Sequence, residues 1–279
     1  MLNNYSATKD TSAFSAAARM LRLFFMGKGF LEAHTQDRLS ILAACEDPTT
    51  VAAYDYLGKR WPLPQTGQMW LECELLENPG RSGVFCMSTS YRHEPSPVPG
   101  RHEVIFPMFE FEAPGGMDDL RRTEVALCEH LGFGSPEMYR HIAYDEAARF
   151  YGVSELTAEH EARMEKDFGP VVFLESFPNH TSPFWNMRRD GGYARKIDVI
   201  LCGMETVGSA ERSIDRRRMR TEFTTISDGG YARLLYDKFG EDRVRAELEE
   251  FLSLDFFPRY GGGIGMTRLI RAMKKRGLV

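Results

Sequence analysis

Two β-prone runs that flank a proline-rich loop constrain the fold of this chain more than any other sequence feature. The runs are Val84–Tyr91 and residues 104–112, and the loop between them includes residues 95–100. Two such runs joined by a turn-forming segment are typical of an antiparallel hairpin. The sequence therefore predicts a β-hairpin over residues 84–112.

Apolar residues at helical spacing predict a helix before this hairpin. They are Phe14, Ala17, Ala18, Leu21 and Phe25, and glycines end the pattern shortly afterwards. Similar reasoning predicts helices over residues 68–76, 118–131 and 244–252, strands over 171–177 and 196–203, and a glycine-rich turn at 261–265 before a last helix. Hairpin-joined strands with helices before and after them predict one α+β domain with a mainly antiparallel sheet flanked by helices.

The composition excludes several classes of protein. The chain is 43% hydrophobic and 27% charged, which favours a globular domain over a disordered or fibrous chain. Its formal net charge of -5 gives no positive excess for non-specific binding to nucleic acid or to an anionic membrane. The five cysteines form no CxxC pair, and no apolar run approaches the ~20 residues of a membrane span. We therefore expect a cytoplasmic protein with no membrane partner.

The ends of the predicted hairpin carry residue types that suit a nucleotide. Arg92 and Glu94 follow the first run, and Arg101 and Phe106 lie on the return side. A guanidinium matches phosphate oxygens, and an aromatic ring can cover the face of an adenine. These residues indicate a nucleotide cradle, with an exposed hairpin that bears solvated charges as the alternative.

Two more segments point in the same direction. The glycines at 261–265 let the backbone approach a ligand closely, and Arg268 follows three residues later. No GK[ST] follows them, so the segment is not a P-loop. Asp198 and Glu205 are seven residues apart and could share a divalent cation that bridges phosphates. An isolated carboxylate pair at this spacing is otherwise surface charge.

In this order the segments resemble class II aminoacyl-tRNA synthetases of the aspartate, asparagine and lysine subgroup. Residues 91–94 with 101–112 are similar to motif 2 of that family, in which FRxE and a loop precede RHxxEF. Residues 261–268 are similar to motif 3, GxGxGxxR. Residues 66–72 are similar to the SGQLxxE stretch of asparaginyl enzymes, and residues 204–212 to the GEIxGGSQR stretch.

The resemblance implies a catalytic core over residues 13–279, after an N-terminal arm of residues 1–12, with no anticodon-binding domain. It implies catalytic roles for Arg92, Glu205 and Arg268. The ATP-binding residues that it implies are Arg92, Glu94, Arg101, His102, Phe106, Glu205, Gly263, Gly265 and Arg268. It also implies amino-acid binding by Gln68, Glu72, Glu110 and Arg212, and binding of Mg2+ by Asp198 and Glu205.

The chain departs from the family pattern at three positions. Ile105 replaces the motif 2 glutamate that precedes the stacking aromatic residue. Gln36 replaces the motif 1 proline, in the segment that forms the family's dimer interface. Leu71 stands where aspartyl enzymes carry a lysine that contacts their substrate, which brings the pocket nearer the asparaginyl pattern.

The resemblance implies an AMP-forming ligase that uses ATP and Mg2+ to activate an aspartate- or asparagine-like carboxylate. We expect ammonia or a small amine as the acceptor, as in archaeal-type asparagine synthetases, and a homodimer. We expect the arginine run at residues 216–220 to be solvated and offset by acids, which makes tRNA a less favoured partner. The alternatives are a stand-alone enzyme that transfers the amino acid to tRNA or a protein, and a non-catalytic binding paralogue. Retention of Arg92, Glu205 and Arg268 argues against the paralogue.

Overall fold

A nine-stranded sheet with helices on both faces forms the centre of the fold. The structure is a computed structural model, and it describes residues 10–35, 39–41, 50–93, 103–181 and 183–279. Its helices are α1 (Thr11–Gly27), α2 (Gln68–Glu77), α3 (Met117–His130), α4 (Tyr144–Tyr151), α5 (Ala158–Phe168), α6 (Arg216–Thr225), α7 (Gly230–Phe239), α8 (Glu241–Ser253) and α9 (Met266–Lys275). Its strands are β1 (Leu31–Glu32), β2 (Ala53–Tyr56), β3 (Lys59–Pro62), β4 (Val84–Tyr91), β5 (Ile105–Pro114), β6 (Arg140–Ala143), β7 (Val171–Pro178), β8 (Arg189–Asp190), β9 (Tyr193–Leu201), β10 (Met204–Glu211) and β11 (Arg259–Gly265).

The large sheet has the strand order β1-β4-β5-β11-β10-β9-β7-β6, with β8 paired to β9. The β1–β4 and β6–β7 pairs are parallel, and the other pairs of this sheet are antiparallel. β2 and β3 form a separate two-stranded hairpin. The prediction of an α+β fold with a mainly antiparallel sheet flanked by helices is confirmed.

The predicted elements around the hairpin are confirmed. β4 and β5 pair antiparallel, from Val84 opposite Glu112 to Tyr91 opposite Ile105. The predicted N-terminal helix is α1, and the Asp10 side chain caps it by accepting a hydrogen bond of 2.9 Å from the Ala13 backbone.

The prediction of a glycine-rich turn at residues 261–265 is wrong, because this segment is the central strand β11. A Cβ atom on Gly261 would lie 2.1 Å from the Glu112 carboxyl, and one on Gly263 would lie 2.8 Å from the Met108 methyl. The glycines are thus required where neighbouring side chains lie across the strand. The sequence alone favours a turn at these positions, because glycine is also one of the dominant turn residues.

Alternation along β5 separates the core from a polar face of the sheet. Phe109 and Phe111 are fully buried among residues of α1, α3 and α9, and the Phe25 ring of α1 stacks on Phe109 with centroids 5.2 Å apart. Glu110 and Glu112 point to the opposite face because successive side chains of a strand alternate. Both carboxyls are nevertheless buried, so that face must supply their partners.

The predicted domain boundaries remain predictions. Most of the N-terminal arm lies outside the described residues, and α1 begins at Thr11. Among the described helices, none combines the length and the apolar character needed to cross a bilayer.

Glu124 of α3 should make the protein less stable as the pH rises. Burial raises the pKa of its carboxyl well above the ordinary value of 4.5, and the negative charges of Asp198 and Glu175 raise it further. The unfolded chain releases this proton at lower pH than the folded chain, so the free energy of unfolding falls as the pH rises above 4.5. Glu124→Gln, which cannot ionise, should therefore gain stability over the unmodified protein as the pH increases.

Urea unfolding of both proteins across a pH series measures this difference. Glu129→Gln is the control, because Glu129 is exposed on the same helix and should give a small difference with no such trend. A Glu124→Gln difference that stays constant with pH would show that this carboxyl is not buried in the folded protein.

Candidate active site

The polar face of the sheet lines a cavity of about 420 Å³. Residues of β5, β10 and β11 line it, together with residues of α2 and α9. The glycines of β11 remove side chains from this part of the surface, so a ligand could contact the backbone directly. The cavity is therefore a candidate site for a ligand that spans several elements.

Arg92 and Phe106 lie together at the cavity, as the nucleotide cradle requires. The guanidinium carbon of Arg92 is 5.4 Å from the centroid of the Phe106 ring, and both residues line the cavity. The Arg92 backbone N–H donates to the Val104 carbonyl at 2.8 Å, which continues the β4–β5 pairing to this point. The hairpin thus places a cation and an aromatic ring next to each other at its open end.

Arg268 approaches the same cavity from the first turn of α9. Its Nη1 donates to the backbone carbonyl of Glu205 at 2.9 Å and lies 3.7 Å from the Glu205 carboxylate. Gly263 and Gly265 of β11, which precede it, also line the cavity. The structure therefore brings together Arg92, Phe106, Gly263, Gly265, Glu205 and Arg268 from the predicted ATP-binding set.

Asp198 of β9 and Glu205 of β10 converge on the space above Gly208. A Cβ atom on Gly208 would lie 3.1 Å from Oε1 of Glu205 and 3.7 Å from Oδ1 of Asp198. The Nζ of Lys196 donates to Oδ2 of Asp198 at 2.9 Å. Burial raises the pKa of Asp198 well above its ordinary value, while Lys196 opposes and Glu205 adds to this rise.

These two carboxylates fit a magnesium site. Oδ1 of Asp198 is buried and has no hydrogen-bond donor among the described residues. Mg2+ prefers oxygen ligands and is commonly held by one or two carboxylates together with substrate phosphates. No group of three candidate ligands occurs in the described part of the chain. When bound, the ion would offset negative charge on phosphate oxygens.

Glu110 is held rigidly at the other end of the cavity. Its Oε2 accepts hydrogen bonds from the Gly67 backbone N–H at 2.8 Å and from the Ser88 hydroxyl at 2.5 Å, and the Thr66 hydroxyl donates to Oε1. Gln68, the first residue of α2, lines the same region, and its buried Oε1 has no donor among the described residues. A fixed carboxylate beside a free acceptor suits the ammonium group of an amino acid.

Arg212 also lines the cavity, whereas Glu72 lies beneath it. Nε of Arg212 donates to Oε1 of Glu112 at 3.0 Å, and Nη2 donates to the same oxygen. Glu72 does not line the cavity: its carboxylate accepts hydrogen bonds from Arg259 and, at 2.6 Å, from Nδ2 of Asn186. The structure thus places three of the four predicted substrate residues at the cavity and the fourth one layer below.

Three predicted ATP-binding residues, Glu94, Arg101 and His102, lie outside the described residues, as does Gln36 of motif 1. Their roles remain predictions.

Sequence reasoning missed several residues at or below the cavity. Lys196, Glu103 and Arg271 line it, and Thr267 of α9 donates to the Glu103 carboxylate at 2.9 Å. Glu112 could have been found, because it shares the strand face of Glu110 two residues later. For the others, no local pattern distinguishes them from surface charges.

Solved structures of aminoacyl-tRNA synthetases share this architecture. The asparaginyl-tRNA synthetase of Pyrococcus horikoshii complexed with asparaginyl-adenylate has a TM-score of 0.74 at 20% identity, covering 95% of this chain and 65% of that one. The asparaginyl-tRNA synthetase of Entamoeba histolytica has a TM-score of 0.75 at 17% identity, covering 96% and 65%.

The family is shown by the sequence itself. The model of class II tRNA synthetases (D, K and N) matches residues 2–277, so the chain belongs to this family. The chain is 24% identical to the aspartate–tRNA(Asp) ligase of Pyrobaculum aerophilum over 290 aligned positions, covering 93% of this chain. It spans 62% of that relative's length and 65% of the length of the two synthetase structures.

Gly208→Ala should weaken metal binding while leaving the fold intact. The added methyl would occupy the space on which Asp198 and Glu205 converge, at 3.1 Å from Oε1 of Glu205. Binding of Mn2+ in the presence of ATP, followed by electron paramagnetic resonance as a probe for Mg2+, should weaken by about tenfold or more.

Gly192→Ala is the matched control, because a Cβ atom there meets no atom within 4 Å. Mn2+ affinity that is equal in the two variants would place the metal away from this pair of carboxylates.

Proposed function

We propose that the protein is an ATP-dependent, AMP-forming carbon–nitrogen ligase that activates an aspartate- or asparagine-like carboxylate as an acyl-adenylate. The observation that carries the proposal is the continuity of one cavity. Residues suited to phosphates, Arg92 and Arg268, line the same cavity as Glu110 and Arg212, which suit an amino acid. A volume of about 420 Å³ is in the range of small-molecule sites.

The proposed first step is attack of a carboxylate oxygen on the α-phosphorus of ATP. A C–O–P linkage forms, the bond to the β-phosphate oxygen breaks, and pyrophosphate leaves with its electron pair. No general base is needed, because the carboxylate is already ionised near pH 7. Positioning in the cavity and stabilisation of phosphate charge by Arg92 supply the catalysis.

For the second step we propose ammonia or a small amine as the acceptor. The amine nitrogen attacks the carbonyl carbon, AMP leaves, and the amine releases a proton to give an amide. The arginines of α6 support this choice, because acids partly neutralise them. Arg216 pairs with Asp255 at 3.3 Å, Arg218 with Glu222 at 3.6 Å, and Arg220 with Glu249 at 2.5 Å. This partial neutralisation weakens the attraction of the helix for a polyanion.

Transfer to tRNA is the second candidate, and family membership favours it. The matching family is described as tRNA synthetases, and the similar proteins are named for tRNA(Asp) ligase and asparaginyl-tRNA synthetase activities. The same adenylate serves both acceptors, because a ribose hydroxyl could attack the same carbonyl carbon. The two candidates therefore differ only in the second step.

We also propose a homodimer formed along α1 and β1. Leu23 and Met26 of α1 and Leu31 of β1 are 59%, 58% and 53% exposed, which leaves apolar surface on adjoining elements. A homodimer should appear in sedimentation equilibrium, and Leu23→Glu with Met26→Glu should shift it to monomer. A fully monomeric unmodified protein would contradict the proposal.

Arg92→Ala should abolish substrate-dependent formation of AMP and pyrophosphate from ATP without unfolding the chain. Loss of one donor that stabilises transition-state charge costs about 3 kcal/mol or more, which is ~100-fold in turnover. Arg140→Ala is the control, because Arg140 is exposed, does not line the cavity, and contacts Glu146 at 3.0 Å and the Phe168 ring with a centroid distance of 5.9 Å. Near-normal turnover of Arg92→Ala, or ADP as the product, would overturn the adenylation step.

The acceptor can be identified by supplying alternatives to the preformed adenylate. With labelled amino acid and ATP, the protein should release a labelled amide when ammonia or a small amine is added. It should not label tRNA at about 0.15 M salt, where phosphate contacts alone bind weakly. Salt-sensitive labelling of tRNA that is lost in Arg216→Ala/Arg220→Ala would establish tRNA as the acceptor instead.

A further inference from the structure

Four charged side chains form a buried cluster beneath the amino-acid end of the cavity. Glu72, Glu112, Arg212 and Arg259 come from α2, β5, the end of β10 and β11, and each is at most 1% exposed. Two carboxylates and two guanidinium groups make the cluster neutral when all four are ionised. Only Arg212 among them lines the cavity.

Arg259 is fixed on every side of its guanidinium. Nε donates to Oε2 of Glu72 at 3.1 Å, and Nη2 donates to the same oxygen. Nη1 donates to the Ser213 carbonyl at 3.2 Å, and the group lies over the Phe256 ring with a centroid distance of 4.9 Å. These contacts use all its nitrogens inside the protein, so Arg259 has no role in direct contact with a ligand.

Glu72 is the carboxylate of the cluster that Arg259 holds in place by hydrogen bonds. Its Oε1 accepts from Asn186 and lies 3.7 Å from Nε of Arg212, which is too far for a hydrogen bond. Without Arg259, the Glu72 carboxylate would be a buried charge whose nearest cation is Arg212. It would therefore compete with Glu112 for the guanidinium that lines the cavity.

We propose that Arg259 is a positioning residue for amino-acid binding: by holding Glu72, it leaves Arg212 oriented by Glu112 and open to the substrate side chain. The inference rests on the proposed function only for the identity of the ligand. It concerns the amino-acid end of the cavity and leaves the ATP end unaffected.

The charge of Arg259 also acts on Glu112. The pKa of Glu112 is raised to about 7: burial is the main cause, Arg212 and Arg259 partly offset the rise, and Glu72 adds to it. These are the charged groups that face Glu112 from β10, β11 and α2. Removal of the Arg259 charge should therefore raise the pKa of Glu112, which a role limited to packing would not do.

The test compares Arg259→Gln with Arg189→Gln. Arg189 is a matched control, because its side chain is only 8% exposed, pairs with Glu222 at 3.1 Å and does not line the cavity. In amino-acid-dependent ATP–pyrophosphate exchange, Arg259→Gln should raise the KM for the amino acid about tenfold or more, with the KM for ATP nearly unchanged. Arg189→Gln should leave both constants unchanged.

Two further variants keep the test informative if Arg259→Gln folds poorly. Arg259→Lys retains the charge and should recover most of the amino-acid affinity. In a Glu72→Gln background, Arg259→Gln should have a much smaller effect on the amino-acid KM, because the carboxylate that it restrains is gone. Equal effects of Arg259→Gln in both backgrounds would overturn the proposal.

A titration that needs no activity separates this inference from the proposed function. The NMR signal of the side-chain carboxyl carbon (Cδ) of Glu112 can be assigned by its loss in Glu112→Gln. This signal should titrate at higher pH in Arg259→Gln than in the unmodified protein or in Arg189→Gln. Absence of exchange in the unmodified protein would overturn the adenylation proposal alone. Unchanged Glu112 titration in Arg259→Gln, or an unchanged amino-acid KM in an active enzyme, would overturn the role of Arg259.

Discussion

The cavity depends on a central strand whose middle has almost no side chains. β11 lies between β5 and β10, and its glycines leave room for Glu112 and Met108 to cross it. Any side chain at position 261 would collide with the Glu112 carboxyl, so this position must be glycine. The same open backbone borders the part of the cavity proposed to hold the nucleotide. One constraint on packing thus shapes both ends of the site.

Burial of four charged groups beneath the cavity carries a large desolvation cost, and pairing of opposite charges offsets it. Removal of one partner from such a pair typically destabilises a protein by about 3–5 kcal/mol. Here Glu112 pairs with Arg212 and Glu72 pairs with Arg259. Of these four residues, only Arg212 lines the cavity. Under the proposed function, the orientation of Arg212 toward the substrate therefore depends on residues that do not line the cavity.

Local sequence patterns were sufficient to predict the hairpin and the helices α1, α2, α3, α8 and α9, but they did not predict α4 to α7 or the long-range strand pairing. The ends of β4 and the helix around Leu21 can be predicted from the sequence, because both depend on residues that are close together in the chain. The glycines of β11 were misread as a turn, since the neighbours that require them come from β5, some 150 residues away. The ion pair between Glu72 and Arg259 joins positions 187 residues apart, so no local sequence pattern could predict it. Glu110 and Glu112 were partly predictable, because strand alternation places both on one face of the sheet but does not show which residues they contact.

The fate of a carboxylate oxygen tests the account most directly. If the amino-acid carboxylate attacks the α-phosphorus, an amino acid labelled with 18O in that carboxylate must transfer one labelled oxygen to AMP when the adenylate is consumed by an amine. Mass spectrometry of the AMP formed by the unmodified protein should therefore show one 18O atom per molecule. Unlabelled AMP, or label that appears in inorganic phosphate beside ADP, would contradict adenylation and with it the assignment of the cavity.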